Sequence, residues 1–273
     1  MREYRFADNV PSHFFIRNDP IVEISCGDEH TAVVLFVFGS NNWGQLGLGH
    51  KDTINKPSCV KSKKITYFFS FLESNKIFAC GSNNDCQLGT ELTNGSDHSV
   101  IPVLTTQLSE KIRLLTAGSQ HSAALTESGK VYIWGSNTEG QCGLGQTPLV
   151  IAAPTLLTIK NSIITHVSCG YYHTAFVTGK TEGKLFICGE GENGKLGLGD
   201  DIVNQVYPLL VDIGAFIIHV ACGGSYTIAL SGKFYKQFIF GNLFIEDLKL
   251  YAQNFKQKLP TYYTSNIFSF LKN

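Results

Sequence analysis

Two loop patterns recur along this chain in fixed order, and their repetition restricts the fold more than any single residue does. The first precedes an alternating apolar run and reads Cys26-Gly27-Asp28-Glu29-His30, Ala117-Gly118-Ser119-Gln120-His121 and Cys169-Gly170-Tyr171-Tyr172-His173. A fourth copy, Cys222-Gly223-Gly224-Ser225-Tyr226, carries tyrosine in the histidine slot. The second follows the next apolar run and approximates Gly-Ser-Asn-x-x-Gly-Gln-Leu-Gly-Leu-Gly, opening at Gly39, Gly81, Gly135 and Gly189, with Gly241 beginning a fifth. These glycines step by 42, 54, 54 and 52 residues, which sets an intact period of about 53. Self-similarity at such a period marks one supersecondary unit repeated, each copy too small to bury its own apolar face.

An intact unit holds four strand candidates. In the unit built on His173 they are Thr155–Ile159, Ile163–Ser168, His173–Thr178 and Lys184–Cys188. Four short strands per unit, joined by glycine turns, predict the blades of an all-β propeller. WD40 blades run to about 40–45 residues and carry a Trp-Asp dipeptide that is absent here. Kelch blades run to about 50, but Gly223-Gly224 is the one double glycine in an equivalent place. Two units are eroded. The second keeps Gly81–Gly89 but has only Tyr67–Leu72 where the first loop belongs, and the first lacks the turn that reads Thr126-Glu127-Ser128-Gly129 in the third. Residues 1–248 are therefore expected to form a partial propeller of about four to five blades. Residues 249–273 form a tail, with Phe244, Ile245, Leu248, Tyr251, Ala252 and Phe255 at helical spacing before Pro260.

Composition narrows the function. Lys+Arg and Asp+Glu are 22 each, so the formal net charge is zero, and the longest basic cluster is Lys61, Lys63 and Lys64. Nucleic acid is not an expected partner. The N-terminus lacks the apolar core of a secretory signal. Ile65–Leu72, the longest largely apolar run, is far short of the roughly 18 residues of a membrane span. Eight cysteines suggest disulfides until their positions are compared. Cys26, Cys169 and Cys222 share one repeat slot with Ala117, and Cys80 and Cys188 share another with Phe38, Trp134 and Phe240. Slots that exchange Cys with Ala, Phe or Trp read as core positions holding reduced thiols, in an intracellular chain.

The local motifs lose their chemical meaning once they repeat. The Gly-rich loops lack the lysine–threonine pair of a phosphate loop and occur in successive units, so they read as turns. His30, His121 and His173 start equivalent strands in different blades, which reads as buried imidazole bonded to nearby backbone rather than as one metal or catalytic cluster. No Ser–His–acid set and no Cys-x-x-Cys metal spacing is present, so no cofactor, no metal and no catalytic residue is expected. The informative positions are the residue pairs before each histidine slot: Asp28-Glu29, Ser119-Gln120, Tyr171-Tyr172 and Gly224-Ser225. These turns are expected to face one end of the propeller. Adjacent tyrosines suit a protein-binding surface. Trp43, on another turn, is expected to pack on the next blade.

The paired motifs resemble the regulator of chromosome condensation repeat, over roughly residues 20–241. The stretches ISCGDEHTAVV, GSNNWGQLGLG and SCGYYHTAFVT are similar to a GTPase-regulator branch of that family. The resemblance implies a seven-bladed propeller, which at this period needs about 370 residues, so the ring here is expected to be incomplete. It also implies location in the cytoplasm at the cilium, basal body or transition zone. The partners it implies are a ciliary transition-zone interacting protein, the prenyl-binding phosphodiesterase δ subunit and a small GTPase of Rab or Ran type. Acidic residues on these turns contribute to nucleotide exchange in the family's Ran-directed member. Here only Asp28-Glu29 is an acidic pair, so the resemblance favours a non-enzymatic interaction propeller over a guanine-nucleotide exchange factor.

Overall fold

The computed structural model describes residues 24–26, 30–33, 36–59, 70–73, 76–90, 98–160, 162–179, 181–199, 204–232 and 237–241. The strands in these stretches form five antiparallel sheets in chain order. The first holds β1 (Ile24–Cys26), β2 (His30–Val33), β3 (Phe36–Gly39) and β4 (Ile54–Cys59). Three strands make the second: β5 (Ser70–Glu73), β6 (Lys76–Ser82) and β7 (His98–Gln107). The third and fourth are complete, with β8 (Ile112–Ala117), β9 (His121–Thr126), β10 (Val131–Ser136) and β11 (Val150–Leu157), then β12 (Ile164–Cys169), β13 (His173–Thr178), β14 (Leu185–Glu190) and β15 (Asn204–Val211). The fifth holds β16 (Ile217–Cys222), β17 (Tyr226–Ser231) and β18 (Gln237–Gly241).

The all-β blade architecture is as the repeat predicts, but the phase of the blades is not. Thr155–Ile159 does not open the fourth sheet. The chain turns back through residues 137–149, and Val150–Leu157 closes the third sheet with Tyr132 opposite Leu156. Asn204–Val211 closes the fourth in the same way, with Phe186 opposite Leu210. Consecutive antiparallel strands pair across the connecting loop, and that pairing sets where a blade ends. The tail helix, the Lys61–Lys64 cluster and the boundary at 248/249 lie outside the described residues.

Each second loop starts at a bulge. Gly39, Gly81, Gly135 and Gly189 have φ of +112°, +111°, +105° and +110°, and at each one the register between the third and fourth strands slips. An L side chain is strained at such φ, so the repeating glycine is a backbone requirement. The Asn and Gln of the loop then hold it from inside. Asn41, Asn83 and Asn137 accept the amides of Leu46, Leu88 and Cys142 through Oδ1 at 3.0, 3.0 and 3.1 Å. Gln45, Gln87 and Gln141 accept the amides two residues earlier through Oε1 at 3.0, 3.0 and 2.9 Å. The fourth loop substitutes both ends of this frame: Glu190 and Gly191 stand for Ser-Asn, and Lys195 for Gln. Lys195 is only 2% exposed, and its ammonium pairs with the Glu190 carboxylate. Burying that charge is tolerable because a half-buried carboxylate is paired with it.

The second loop has its own departure. Cys86 sits at φ +58°, where Gly44, Gly140 and Gly194 stand in the other units at +76°, +79° and +68°. Left-handed backbone costs a non-glycine residue about 1 kcal/mol or more. Against this, glycine has more backbone entropy to lose, about 0.5–1 kcal/mol. Cys86→Gly is expected to raise stability by about 0.5–1 kcal/mol, read as a higher urea midpoint. A lower midpoint would show that the thiol's packing outweighs the strain.

Erosion of the first unit is confined to one end of a hairpin. The hairpin of the first unit ends at Val33 opposite Phe36, the equivalent of Ala124 opposite Tyr132, whereas the third unit runs on to Leu125 opposite Val131. Both strands lose their far ends, while His30 opposite Gly39 repeats the register of His121 opposite Gly135. The end carrying the two loop motifs is kept.

Neighbouring sheets pack face to face: β12 lies against β8 and β9, and β16 against β12 and β13. One apolar cluster joins the third and fourth sheets through Ala123, Leu125, Phe176 and Phe186. Another joins the fourth and fifth through Ala175, Val177, Leu185 and Ala229. The slot that exchanges Cys, Phe and Trp rests on the glycine loop of the preceding unit, as Trp134 on Gly89, Cys188 on Gly143 and Phe240 on Gly197. Cys80, Cys142, Cys169, Cys188 and Cys222 are free thiols. Burial pushes Cys80 and Cys142 up to about 12, so neither is a nucleophile at neutral pH.

The outer strands β4, β7, β11 and β15 each contain a proline: Pro57, Pro102, Pro154 and Pro208. Proline offers no N–H, so it interrupts the free edge that a foreign strand could extend.

Candidate functional site

The turns between the first two strands of the third, fourth and fifth sheets lie side by side, and the glycine that opens each turn explains why. A Cβ built on Gly118 falls 2.1 Å from the Gly170 carbonyl oxygen and 2.6 Å from Cε1 of His121. On Gly170 it falls 2.3 Å from Cε1 of His173 and 2.7 Å from the Gly223 carbonyl oxygen. On Gly223 it runs into the Tyr226 ring at 2.3 Å. Each glycine thus accommodates the aromatic ring three residues later on one side, and the first two also meet the next blade's backbone. The Gly-x-x-His spacing is a packing rule.

The histidines are joined to the next blade by side chains, not to nearby backbone as the sequence suggests. His121 Nε2 lies 2.7 Å from Thr174 Oγ1, and His173 Nε2 lies 2.8 Å from Thr227 Oγ1. Thr174 donates its own proton to the Gln141 carbonyl at 2.7 Å. Its oxygen must then accept from His121, which places that ring's proton on Nε2. The Nδ1 atoms of both rings are buried without a hydrogen-bond partner. Burial pulls both imidazoles down to about 3, assisted for His173 by the Lys195 charge, so both are neutral at physiological pH.

This burial has a pH signature. Unfolded histidine takes up a proton near pH 6.5, and the native rings do not until about pH 3, so the unfolded state binds more protons in between. Stability is complete above pH 6.5 and falls as the pH drops below it, by up to about 1.4 kcal/mol per pH unit for each ring. Urea midpoints are expected to fall between pH 7 and pH 5, above the range in which most carboxylates titrate. A flat profile there would contradict buried neutral rings.

The carbonyls of Gln45, Gln87 and Gln141 stitch successive sheets together. They accept from Cys80 Sγ at 3.5 Å, from Ser122 Oγ and Trp134 Nε1 at 2.9 Å each, and from Thr174 Oγ1 and Cys188 Sγ at 2.7 and 3.5 Å. On the inner strands, Cys169 N donates to Thr116 Oγ1 at 3.1 Å and Cys222 N to Ser168 Oγ at 3.0 Å. The pattern holds the row of turns on a fixed base.

On that base Ser119, Gln120, Tyr171, Tyr172 and Ser225 are half-buried and Gly224 is exposed. The amides of Ser136 and Glu190 fix the carbonyls of Gln120 and Tyr172 at 2.8 and 2.9 Å, and Tyr171 N donates to the Gly223 carbonyl at 3.2 Å. The two tyrosine rings meet edge to face at 4.5 Å between centroids. Partial burial, then Tyr171, then the Glu190 and Glu139 carboxylates raise the Tyr172 hydroxyl above its usual range, which keeps it a neutral donor. Six of the eight sequence-derived positions are therefore brought into one row, while Asp28 and Glu29 lie outside the described residues. Trp43 leans edge-on toward His98 of the second sheet and lies 5.6 Å from the Lys51 ammonium, yet it stays 43% exposed. It is less enclosed than its sequence suggests. Among the described residues no group of three metal-ligating side chains occurs. No helix among them is long and apolar enough to cross a membrane.

Repeated four-stranded blades with glycine–histidine turns define a class of propeller, and comparison with known proteins agrees. The regulator of chromosome condensation (RCC1) repeat matches residues 35–70, 74–125, 128–177 and 182–230. The chain belongs to that repeat family. Among solved structures, human WBSCR16 superposes with a TM-score of 0.71 at 22% identity, covering 82% of this chain and 62% of that one. Prp20p from Saccharomyces cerevisiae gives 0.69 at 20%, covering 89% and 61%; these likenesses establish the fold.

Within the family the chain is similar to the X-linked retinitis pigmentosa GTPase regulator. It is 45% identical to the Canis lupus familiaris protein over 83% of this chain and 29% of that protein. It is also 45% identical to the Homo sapiens protein over 98% of this chain and 32% of that protein. The chain thus spans about a third of the length of these relatives. The human alignment runs to 337 positions against 273 residues here, so the relative carries residues with no counterpart in this chain.

Proposed function

We propose that this chain is the non-enzymatic interaction propeller of a GTPase regulator and docks partner proteins on the row of turns around Tyr171 and Tyr172. One observation carries the reading. Repeat-equivalent turns are pinned side by side by glycines packed against the ring three residues later, and the positions between them carry a half-buried, edge-to-face tyrosine pair. Rigid aromatic area on a fixed base suits an interface centre, because little side-chain entropy is lost on binding. The imidazoles that could serve chemistry are buried, neutral and committed to packing. Similarity to the retinitis pigmentosa GTPase regulator supports a role in ciliary scaffolding and trafficking at the transition zone. It makes the transition-zone interacting protein, the prenyl-binding phosphodiesterase δ subunit and a Rab- or Ran-type GTPase the partners to try.

Tyr171→Ala combined with Tyr172→Ala is expected to weaken capture of such a partner by roughly tenfold or more, with the unfolding midpoint little changed. Undiminished binding by a folded double variant would move the interface elsewhere. Fluorescent GDP release from Rab- and Ran-type GTPases distinguishes the scaffold from an exchange factor: the expected rate is that of the GTPase alone. Acceleration of about a hundredfold would overturn the non-enzymatic reading.

A further inference from the structure

His166 on β12 and His219 on β16 belong to neighbouring blades, and their rings meet. The ring centroids are 3.7 Å apart, with the planes tilted by 40°. The two residues stand one repeat period apart and outside both loop motifs, so no ligand spacing in the sequence marks them. Their meeting follows from the repeat. On the first strand of the third, fourth and fifth sheets the register slips once, between Ile112 and Leu114, Ile164 and His166, and Ile217 and His219. A bulge re-aims the side chain beside it, so Leu114, His166 and His219 hold one repeat-equivalent position. The backbone under the two rings is fixed. The Cys222 amide bonds Ser168 Oγ at 3.0 Å across the same two strands, and Val167 and Val220, next to the histidines, are each 1% exposed. The rings themselves are half-buried, within reach of solvent.

Packing alone does not ask for histidine here. Leu114 fills the same position in the third blade and packs on the apolar cluster. Two imidazoles instead bring two ring-nitrogen lone pairs into one contact between blades, and neutral imidazole is the commonest protein ligand for transition metals. In a tetrahedral zinc site two ligand nitrogens, each about 2.0–2.1 Å from the ion, stand about 3.3 Å apart. Rings 3.7 Å apart at their centroids are close to that spacing, and the soft χ2 torsion of histidine closes the remainder. We infer that His166 and His219 form a two-histidine site for a zinc-type divalent ion that ties the fourth blade to the fifth. Nitrogen ligands select against magnesium and calcium, which take oxygen. Two protein ligands leave two positions of a tetrahedral ion to water, so the ion exchanges with solvent and is not needed for folding.

Isothermal titration of the full chain with zinc chloride is expected to fill a site that magnesium chloride does not. His166→Leu should weaken zinc binding by roughly tenfold or more, since even an outer-shell partner of a metal ligand is worth about that much. Leu114 shows that the blade accepts leucine at this position, and His219→Gln, which keeps a polar side chain, should give the same loss. His50→Ala removes an exposed histidine of the first blade's loop and should leave the affinity unchanged. Zinc binding that survives either substitution in the pair, that is lost with His50→Ala, or that is absent from the unaltered chain overturns the proposal. A second measurement needs no variant to fold. Zinc is expected to protect His166 and His219 from diethyl pyrocarbonate, read by peptide mass mapping, and equal labelling with and without zinc overturns the proposal as well.

Discussion

Gly118→Ala is expected to lower the unfolding midpoint by roughly 6–12 °C, the equivalent of about 3 kcal/mol. The added methyl would sit 2.1 Å from the Gly170 carbonyl oxygen and 2.6 and 2.9 Å from Cε1 and Nδ1 of His121. The first is backbone of the next blade, and the second is a ring with 0% exposure whose Nε2 bonds Thr174 at 2.7 Å. Neither can yield without moving one sheet against the other. Overpacking usually costs about 1–3 kcal/mol, and a clash with backbone belongs at the upper end. Gly224→Ala is the matched comparison: nothing lies within 4 Å of its Cβ position, so stability should change by less than about 0.5 kcal/mol. Differential scanning calorimetry on both variants checks the contrast. Equal midpoints would mean that the Gly-x-x-His spacing is not a packing rule.

Trp134→Ala is expected to cost about 4 kcal/mol. Trp134 is 1% exposed, lies on Gly89 of the preceding unit's loop, and donates from Nε1 to the Gln87 carbonyl at 2.9 Å. Truncation removes the ring's burial, leaves a cavity between the second and third sheets, and takes one donor from Gln87. Trp134→Phe separates these effects. Most of the apolar contact survives, and Gln87 keeps the Ser122 hydroxyl at 2.9 Å, so the cost should fall to about 1–2 kcal/mol. Urea unfolding followed by circular dichroism reads both. A loss below about 1 kcal/mol for the alanine variant would show that the second and third sheets are not coupled through this ring.

Much of this was legible from the spacing of residues. The period, the glycines opening each second loop, and the exchange of Cys, Phe and Trp in one slot all describe backbone demands and packing volumes, which a repeat displays directly. The phase of the blades was not legible, because both motifs sit on turns and neither marks the strand that ends a sheet. Its signal was a weaker one: Pro57, Pro102, Pro154 and Pro208 each stand within a unit's outer strand. The partners of His121 and His173 were hidden for another reason. Each bonds a threonine more than fifty positions away, one repeat ahead, and the dipeptide His-Thr gives no hint that its two members serve different interfaces. The ion pair of Glu190 and Lys195 does not show in the sequence, because it replaces Ser and Gln five residues apart, a change that reads as surface variation although Lys195 is buried.

The residue pattern alone establishes an all-β repeat array of the chromosome-condensation type, with turns that need glycine and an aromatic or imidazole ring three residues later. Those properties follow from local backbone geometry and from periodicity, and each copy restates them. It took the folded chain to show that the turns of successive blades touch, that their histidines are neutral braces, and that Tyr171 and Tyr172 meet edge to face on the base so formed. Such facts depend on contacts between residues about 53 positions apart, which no single copy of the repeat contains.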